Sequence, residues 1–254
     1  MENPTNRFKA GLREGRQQIG LWNMISGPLV PEALSGLGYD WVVIDTEHSP
    51  TDISDVLPAL QSMAAEPGTS AVVRPAWNDP VLIKRLLDFG AQTLLIPYVQ
   101  SAEEARAAVA ATRYPPVGMR GVAGLHRATR YGRIGDYMAR AHEETCVLVQ
   151  VETKAALDRL EEIAQIEGID GVFIGPADLA ASLGHPGRQD HPEVVEAIMG
   201  AIDRLGAIGV PAGILTLDAE FARACMARGT RFTAVGIDAS LLLDGARDLL
   251  TRFR

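Results

Sequence analysis

Residues 146–179 read CVLVQVETKAALDRLEEIAQIEGIDGVFIGPADL. An apolar run from Cys146 stops on Glu152, and a second from Gly171 stops on Gly175-Pro176-Ala177-Asp178. Between them Leu157, Leu160, Ile163 and Ile166 keep the spacing of one helix face. The stretch therefore reads as strand, helix and parallel strand, with both strands apolar along their length because both faces are covered. Each strand carries one carboxylate at its C-terminal end, where parallel α/β folds place their chemistry. Glu152 and Asp178 could simply cap the helices that follow them. Two carboxylates at neighbouring strand ends otherwise repel unless a cation lies between them.

Working outward, similar apolar runs start near Ile19, Trp41, Ser70, Thr93, Pro211 and Phe232, making eight in all. Helical spacing is expected over Val30–Leu37, Ile53–Ala64, Pro80–Phe89, Ala102–Thr112, Lys154–Ile166, Pro192–Ile208, Ala219–Ala227 and about Ser240–Phe253. Eight alternating units in 254 residues predict an α/β fold, a (β/α)8 TIM barrel, as a single domain spanning 1–254. A doubly wound open sheet is the second choice, and no GxGxxG follows the first strand to favour it. The connection from Tyr114 to Thr145 is too long for an ordinary loop and implies a functional or interface segment, with a short helix over Asp136–Glu144.

A net charge of −8 argues against nucleic-acid and membrane-surface partners. No apolar run reaches the ~20 residues of a membrane span, and the polar N-terminus has no signal core. Cys146 and Cys225 sit in apolar surroundings and read as reduced, buried residues. A soluble cytoplasmic protein is expected.

The strand ends bring polar residues to one mouth: Trp22; Asp45, Glu47 and His48; Arg74; Gln100; Gln150 and Glu152; Asp178; Leu215; Asp238. Arg74 can clamp an anionic substrate or form a structural ion pair, Asp45 being the nearest candidate. His48 can be a surface residue or a proton carrier oriented by a carboxylate. The other histidines, 126, 142, 185 and 191, carry no catalytic expectation. A Schiff-base aldolase needs a lysine at a strand end. Lys9 and Lys84 lie on helical patterns, and Lys154 suits the solvated first turn of a helix. Carboxylates, Arg and His without a well-placed Lys point to metal-assisted chemistry.

EHSP at Glu47–Pro50, VVRPAWNDP at Val72–Pro80, TRYPPVGMRGV at Thr112–Val122, VLVQVET at Val147–Thr153 and GVFIGPADLA at Gly171–Ala180 together resemble the HpcH/HpaI family of class II pyruvate aldolases. The resemblance covers nearly the whole chain. It implies reversible cleavage of 4-hydroxy-2-oxo acids, such as 4-hydroxy-2-oxoheptanedioate, to pyruvate and an aldehyde such as succinate semialdehyde. It implies Glu152 and Asp178 as ligands of a divalent metal (Mg2+, Mn2+ or Co2+), with Gln150 positioning them and the substrate. Arg74 would meet the keto oxygen, and Ala177 and Asp178 would offer N–H groups to the substrate carboxylate. Asp45 and His48 would move protons, with Asp88 pairing with the histidine, and Trp22 and Leu215 would line the pocket. Thr46 departs from the glycine of close relatives and bears on acceptor preference. The resemblance further implies a homo-hexamer, a dimer of trimers, whose last helix is exchanged between subunits. Two alternatives stay open: a lyase acting on an acyl-CoA or on phosphoenolpyruvate at the same metal site, and a catalytically silent barrel serving as a binding subunit.

Overall fold

A computed structural model describes all residues, Met1–Arg254. Eight parallel strands close into a barrel in chain order: β1 (Gln18–Asn23), β2 (Trp41–Asp45), β3 (Ser70–Arg74), β4 (Thr93–Ile96), β5 (Cys146–Val151), β6 (Gly171–Ile174), β7 (Ala212–Leu215) and β8 (Thr230–Ile237). Helices α2 (Leu29–Ser35), α3 (Ile53–Met63), α4 (Pro80–Asp88) and α5 (Ala102–Thr112) follow the first four strands. After β5 come α7 (Lys154–Asp158) and α8 (Leu160–Ala164); after β6, α9 (Pro176–Ser182) and α10 (Pro192–Ala207). Helices α11 (Ala219–Arg228) and α12 (Asp238–Thr251) complete the ring. The barrel expected from the sequence is the fold observed.

Period-two alternation sorts the strand residues. In β2, Val42 and Ile44 face outward into a 38-residue core shared with the helices, while Trp41 and Val43 point into the barrel. The interior is filled by aromatic rings at its foot. Phe8 lies 5.7 Å from both Trp41 and Phe232. Gly213 leaves the room this filling needs, since a Cβ there would stand 2.1 Å from the Phe232 ring.

Phe8 belongs to α1 (Arg7–Arg13), in keeping with the helical pattern at Lys9 but outside the eight helices expected of the barrel units. It plugs the foot of the barrel. Asn6 caps it and also binds Gln92, Thr93 and Glu144, and Lys9 pairs with Asp170 at 3.2 Å.

The single helix expected over Lys154–Ile166 is broken at Arg159. The carbonyl of Leu157 is taken by Arg204 Nη1 at 2.9 Å, and the same guanidinium binds Glu161, so the break leaves no orphaned acceptor.

The long connection holds a 3-10 turn (Arg127–Thr129) and α6 (Tyr137–Glu144), the short helix expected there. It runs under the foot. Arg127 donates to the carbonyls of Phe89, just past α4, and of Leu60, in the last turn of α3. Helices after barrel strands run back toward the foot, so these are foot-side helix ends. No helix is long and apolar enough to cross a membrane.

Candidate active site

The alternation that fills the barrel also arms its mouth. Counting in steps of two from the inward Trp41 and Val43 reaches Asp45 and then Glu47. From Val72 it reaches Arg74, and from Cys146 and Leu148 it reaches Gln150 and Glu152. Trp22 is likewise on the inward set of β1. These side chains therefore meet above the apolar filling.

Arg74 is the hub. Its Nε and Nη2 donate to the two oxygens of Asp45 at 2.8 and 2.6 Å, a bidentate pair between residues directly opposite each other in the β2–β3 register. Nη1 faces the mouth, 3.3 Å from Gln150 Oε1 and 2.7 Å from Glu47 Oε2. The guanidinium lies 4.9 Å from the centre of the Trp22 ring, and Trp22 Nε1 donates to Asp45 at 3.2 Å. Burial pushes the Asp45 carboxyl up, but the hydrogen bonds and charge of Arg74 outweigh it and hold the group below its ordinary value. Asp45 is thus an ionised anchor for Arg74. Both its oxygens are occupied by Arg74 and it is fully buried, which leaves it a partner of Arg74 as well as the expected participant in proton transfer.

Glu152 is held on both sides. Gln150 Nε2 donates to its Oε2 at 2.8 Å, and the backbone N–H of Tyr98 donates to its Oε1 at 2.8 Å. Tyr98 adopts φ +54°, a conformation rare for a non-glycine residue that aims its N–H at the carboxylate. Gly175 is required here, because a Cβ would fall 2.4 Å from Glu152 Oε2.

Burial first, and then the negative charges of Glu47 and Asp178, push Glu152 up to about 7 despite the Tyr98 bond. Glu47 is also pushed up to about 7 by burial, with Asp45 and Asp178 adding to the rise and Arg74 opposing it. Its Oε2, though close to Arg74, has no hydrogen bond of good geometry. Glu47 and Glu152 thus form a desolvated pair with the exposed Asp178 beside them, and the three carry more negative charge than Arg74 offsets. The sequence placed Glu47 at a strand end without giving it a role; its step-of-two spacing from Asp45 was the available signal.

Asp178 and Ala177 stand in the first turn of α9, both exposed, where backbone N–H groups have no acceptor within the helix. Leu215 ends β7 and packs with Ile237 on the aromatic filling that includes Trp22. Thr46 donates its hydroxyl to the carbonyl of Arg74 at 2.7 Å, tying the Arg74 backbone to the Asp45 strand end.

A model of the HpcH/HpaI aldolase/citrate lyase family matches residues 18–245. The chain belongs to that family. A pyruvate aldolase from Rhizobium etli is 60% identical over 100% of this chain and 99% of its own length. A 4-hydroxy-2-oxo-heptane-1,7-dioate aldolase from Klebsiella pneumoniae is 51% identical over 98% and 94%. The crystal structure of a family protein from Burkholderia cenocepacia, 41% identical, superposes with a TM-score of 0.95 over 98% of this chain and 100% of that one. The family resemblance read in the five motifs is thereby established.

Two residues expected at the family site lie elsewhere or stand alone. His48 is exposed on the rim, and its neighbour is Glu47, at 3.8 Å, in place of Asp45. Asp88 is at the last residue of α4, on the foot side, where it accepts from Arg120 at 2.7 Å and lies 3.4 Å from His126. One chain does not bring Asp88 to its own His48, so such a pair would have to form between two copies. Lys154 is solvent-exposed and paired with Asp158, as its helical context suggested. The compact group His185, His191 and Glu193 lies around the start of α10.

Proposed function

We propose that this chain is a divalent-metal-dependent aldolase that cleaves and forms 4-hydroxy-2-oxo acids, with pyruvate as the donor product. The observation that carries this reading is the excess of buried carboxylate around Arg74. Glu47 and Glu152 are both forced toward neutrality near pH 7, and the one guanidinium among them already serves Asp45. A divalent cation held by Glu152 and Asp178 would restore the balance, with Glu47 at its side. The donor set is all oxygen, which suits Mg2+, Mn2+ and Co2+ alike. Such a cation supplies Lewis acidity toward the oxygens of a 2-oxo acid.

The remaining work falls to the chain. Trp22 and Asp45 fix the plane of Arg74, so that Nη1 presents a positive charge at the mouth. When the C4 hydroxyl loses its proton and the C3–C4 bond breaks, the electron pair moves onto the pyruvate fragment as its enolate. Arg74 meets that negative charge, which is greater than on the ground-state keto oxygen, and so lowers the barrier. Gln150 bridges Arg74 to Glu152 and keeps metal ligand and cation in register. The N–H groups at 177 and 178 can receive the substrate carboxylate. His48 is the titratable side chain on the rim that can pass the hydroxyl proton to solvent.

The assay is cleavage of a 4-hydroxy-2-oxo acid with and without added metal. Activity should disappear in a chelator and return with Mg2+ or Mn2+. Borohydride with pyruvate should leave it intact; irreversible inactivation would mean a lysine Schiff base and sink the reading.

The same proposal includes an oligomer. Helix α12 exposes Leu241, Leu242, Leu249 and Leu250, and Phe253 lies just past its end, from 48% to 81% accessible. A second copy covering this face accounts for it, in keeping with the exchanged helix of the expected hexamer. A chain truncated after Ser240 should lose its assembly in light scattering; a soluble truncated oligomer of unchanged mass would count against it.

A further inference from the structure

Beside the carboxylate set lies a cavity of ≈ 490 Å³ at the ends of β6, β7 and β8. Pro176, Ala177, Leu215, Leu217, Phe221 and Ile237 form its apolar wall. Pro176 and Ala177 directly precede the proposed ligand Asp178, and Ala177 and Leu215 are shared with the expected substrate site, so the cavity adjoins the reacting centre. Its polar lining is Gln189, Thr216, Asp190 and Asp218, with no lysine or arginine.

We infer that this cavity receives the aldehyde partner of the aldol reaction, and that it favours a short neutral aldehyde over one ending in a carboxylate. The inference rests on the aldolase reading and names the acceptor class for it.

The argument is one of charge. The 2-oxo acid brings its own carboxylate to the mouth, where Glu47, Glu152 and Asp178 already stand. A second carboxylate on the acceptor would enter an apolar cavity whose ionisable lining is Asp190 and Asp218. Asp218 caps α11 by accepting from the N–H groups of Glu220 and Phe221, so part of its charge is met within the chain. Asp190 is not so held. Arg188, the cation beside this wall, is exposed and lies 3.5 Å from Asp190, which it partly neutralises. No guanidinium is left to form the bidentate grip that carboxylate recognition uses. A neutral chain meets no such penalty. Its carbons fit Leu215, Leu217 and Phe221, and a hydroxyl on it can bond the Gln189 amide or the Thr216 hydroxyl.

A carboxylate moved into an apolar cavity whose lining has no cation to pair it is expected to cost about tenfold or more in kcat/KM. The test is aldol addition of pyruvate by the metal-loaded enzyme to propanal, glycolaldehyde and succinate semialdehyde. The neutral aldehydes should be preferred by about tenfold. Asp190→Lys should shrink that ratio at least fivefold, because it puts a cation on the cavity wall. Equal or better use of succinate semialdehyde by the unmodified enzyme would overturn the inference while leaving the aldolase reading intact. An unchanged ratio in Asp190→Lys would also overturn it. No condensation with any aldehyde would overturn both.

Discussion

The barrel holds two buried arginine–aspartate pairs, one at each end. At the mouth Arg74 grips Asp45 with two bonds, stacks on Trp22, and sends its third nitrogen toward Glu47 and Gln150. At the foot Arg120 makes one bond to Asp88, stacks on Tyr114 and Tyr137, and leaves Nε and Nη1 buried with no hydrogen-bond partner. Both guanidiniums are shielded from water, and both rest on aromatic faces. They differ in what surrounds the free nitrogens. Around Arg74 there is more negative charge than it can meet. Around Arg120 there is His126, whose proton affinity is lowered first by burial, with Asp88 opposing and Arg120 adding to the fall. An excess of buried anion calls for a cation from outside, whereas the foot pair has spare donors and no excess of anion to be met. Buried pairs as such therefore say little about function, and the unbalanced charge beside them says more.

The sharpest break in this comparison is to remove the excess. Glu152→Ala and Asp178→Ala should each lower kcat/KM by about a thousandfold or more, since the cation supplies several kcal/mol of barrier lowering. The melting temperature of the metal-free protein should hold or rise, because like-charge repulsion is relieved. Titration calorimetry with Mn2+ should show affinity collapse in both. Unchanged affinity in either would remove that residue from the ligand set.

Arg74→Lys comes next. A lysine keeps a positive partner for Asp45 but cannot supply two bonds to it and a third nitrogen to the mouth. We expect kcat to fall by about 10²–10³ with a modest change in KM. Arg74→Met should add a stability loss of about 3–5 kcal/mol, because Asp45 would be left charged and buried. A Lys variant of near-normal kcat would make the mouth pair as purely structural as the foot pair.

The mirror experiment is Arg120→Met. Here the expected loss is about 3 kcal/mol of stability, read as a lower melting temperature, with kcat of the folded enzyme within about twofold of normal. A large fall in kcat would show that Asp88 serves the mouth of a neighbouring copy, and the two ends of the barrel would then be one functional unit.

Much of this was legible in the chain. Eight apolar runs with helical patterns between them, most ending on polar residues, pointed to the barrel and located the mouth. The end of the apolar run from Cys146 at Glu152 placed that carboxylate at the mouth. Other features depend on information the pattern does not carry. Which carboxylate of β2 takes Arg74 is decided by the Asp45–Arg74 register, and this separates an anchor from a charged neighbour two residues on. Helix α1 has only Phe8 and Leu12 to mark its apolar side, enough for a helical pattern at Lys9 but not for its place under the barrel. The run from Tyr114 to Thr145 shows its length in sequence, but its path under the foot is set by Arg127 reaching carbonyls of two helices. Asp88 sits on a well-marked helix, yet only the direction of that helix shows it to be at the wrong end for its own chain's His48.

The smallest effect is the most direct probe of the charge excess, because it needs no catalysis. Glu47 and Glu152 have an ordinary value of 4.5 and titrate near 7 in the fold. A carboxyl with a raised value keeps its proton longer when folded than when unfolded. Its contribution to stability is therefore fully present below about 4.5 and is lost as pH rises toward 7. For the metal-free protein we expect this pair to remove about 1–3 kcal/mol of stability between pH 5 and pH 8. Thermal melts with excess chelator should show the decline, and Glu152→Gln should flatten it by removing one of the two groups. A cation must displace the same protons to bind. Affinity for Mn2+ should consequently rise by up to about tenfold per pH unit and per proton below 7, then level off. The opposite slopes, stability falling and affinity rising over one pH window, are expected of the mouth, where the two raised carboxyls stand. Parallel slopes, or an affinity independent of pH from 6 to 8, would mean that Glu47 and Glu152 are ionised without the metal and that the excess charge is met by some other group.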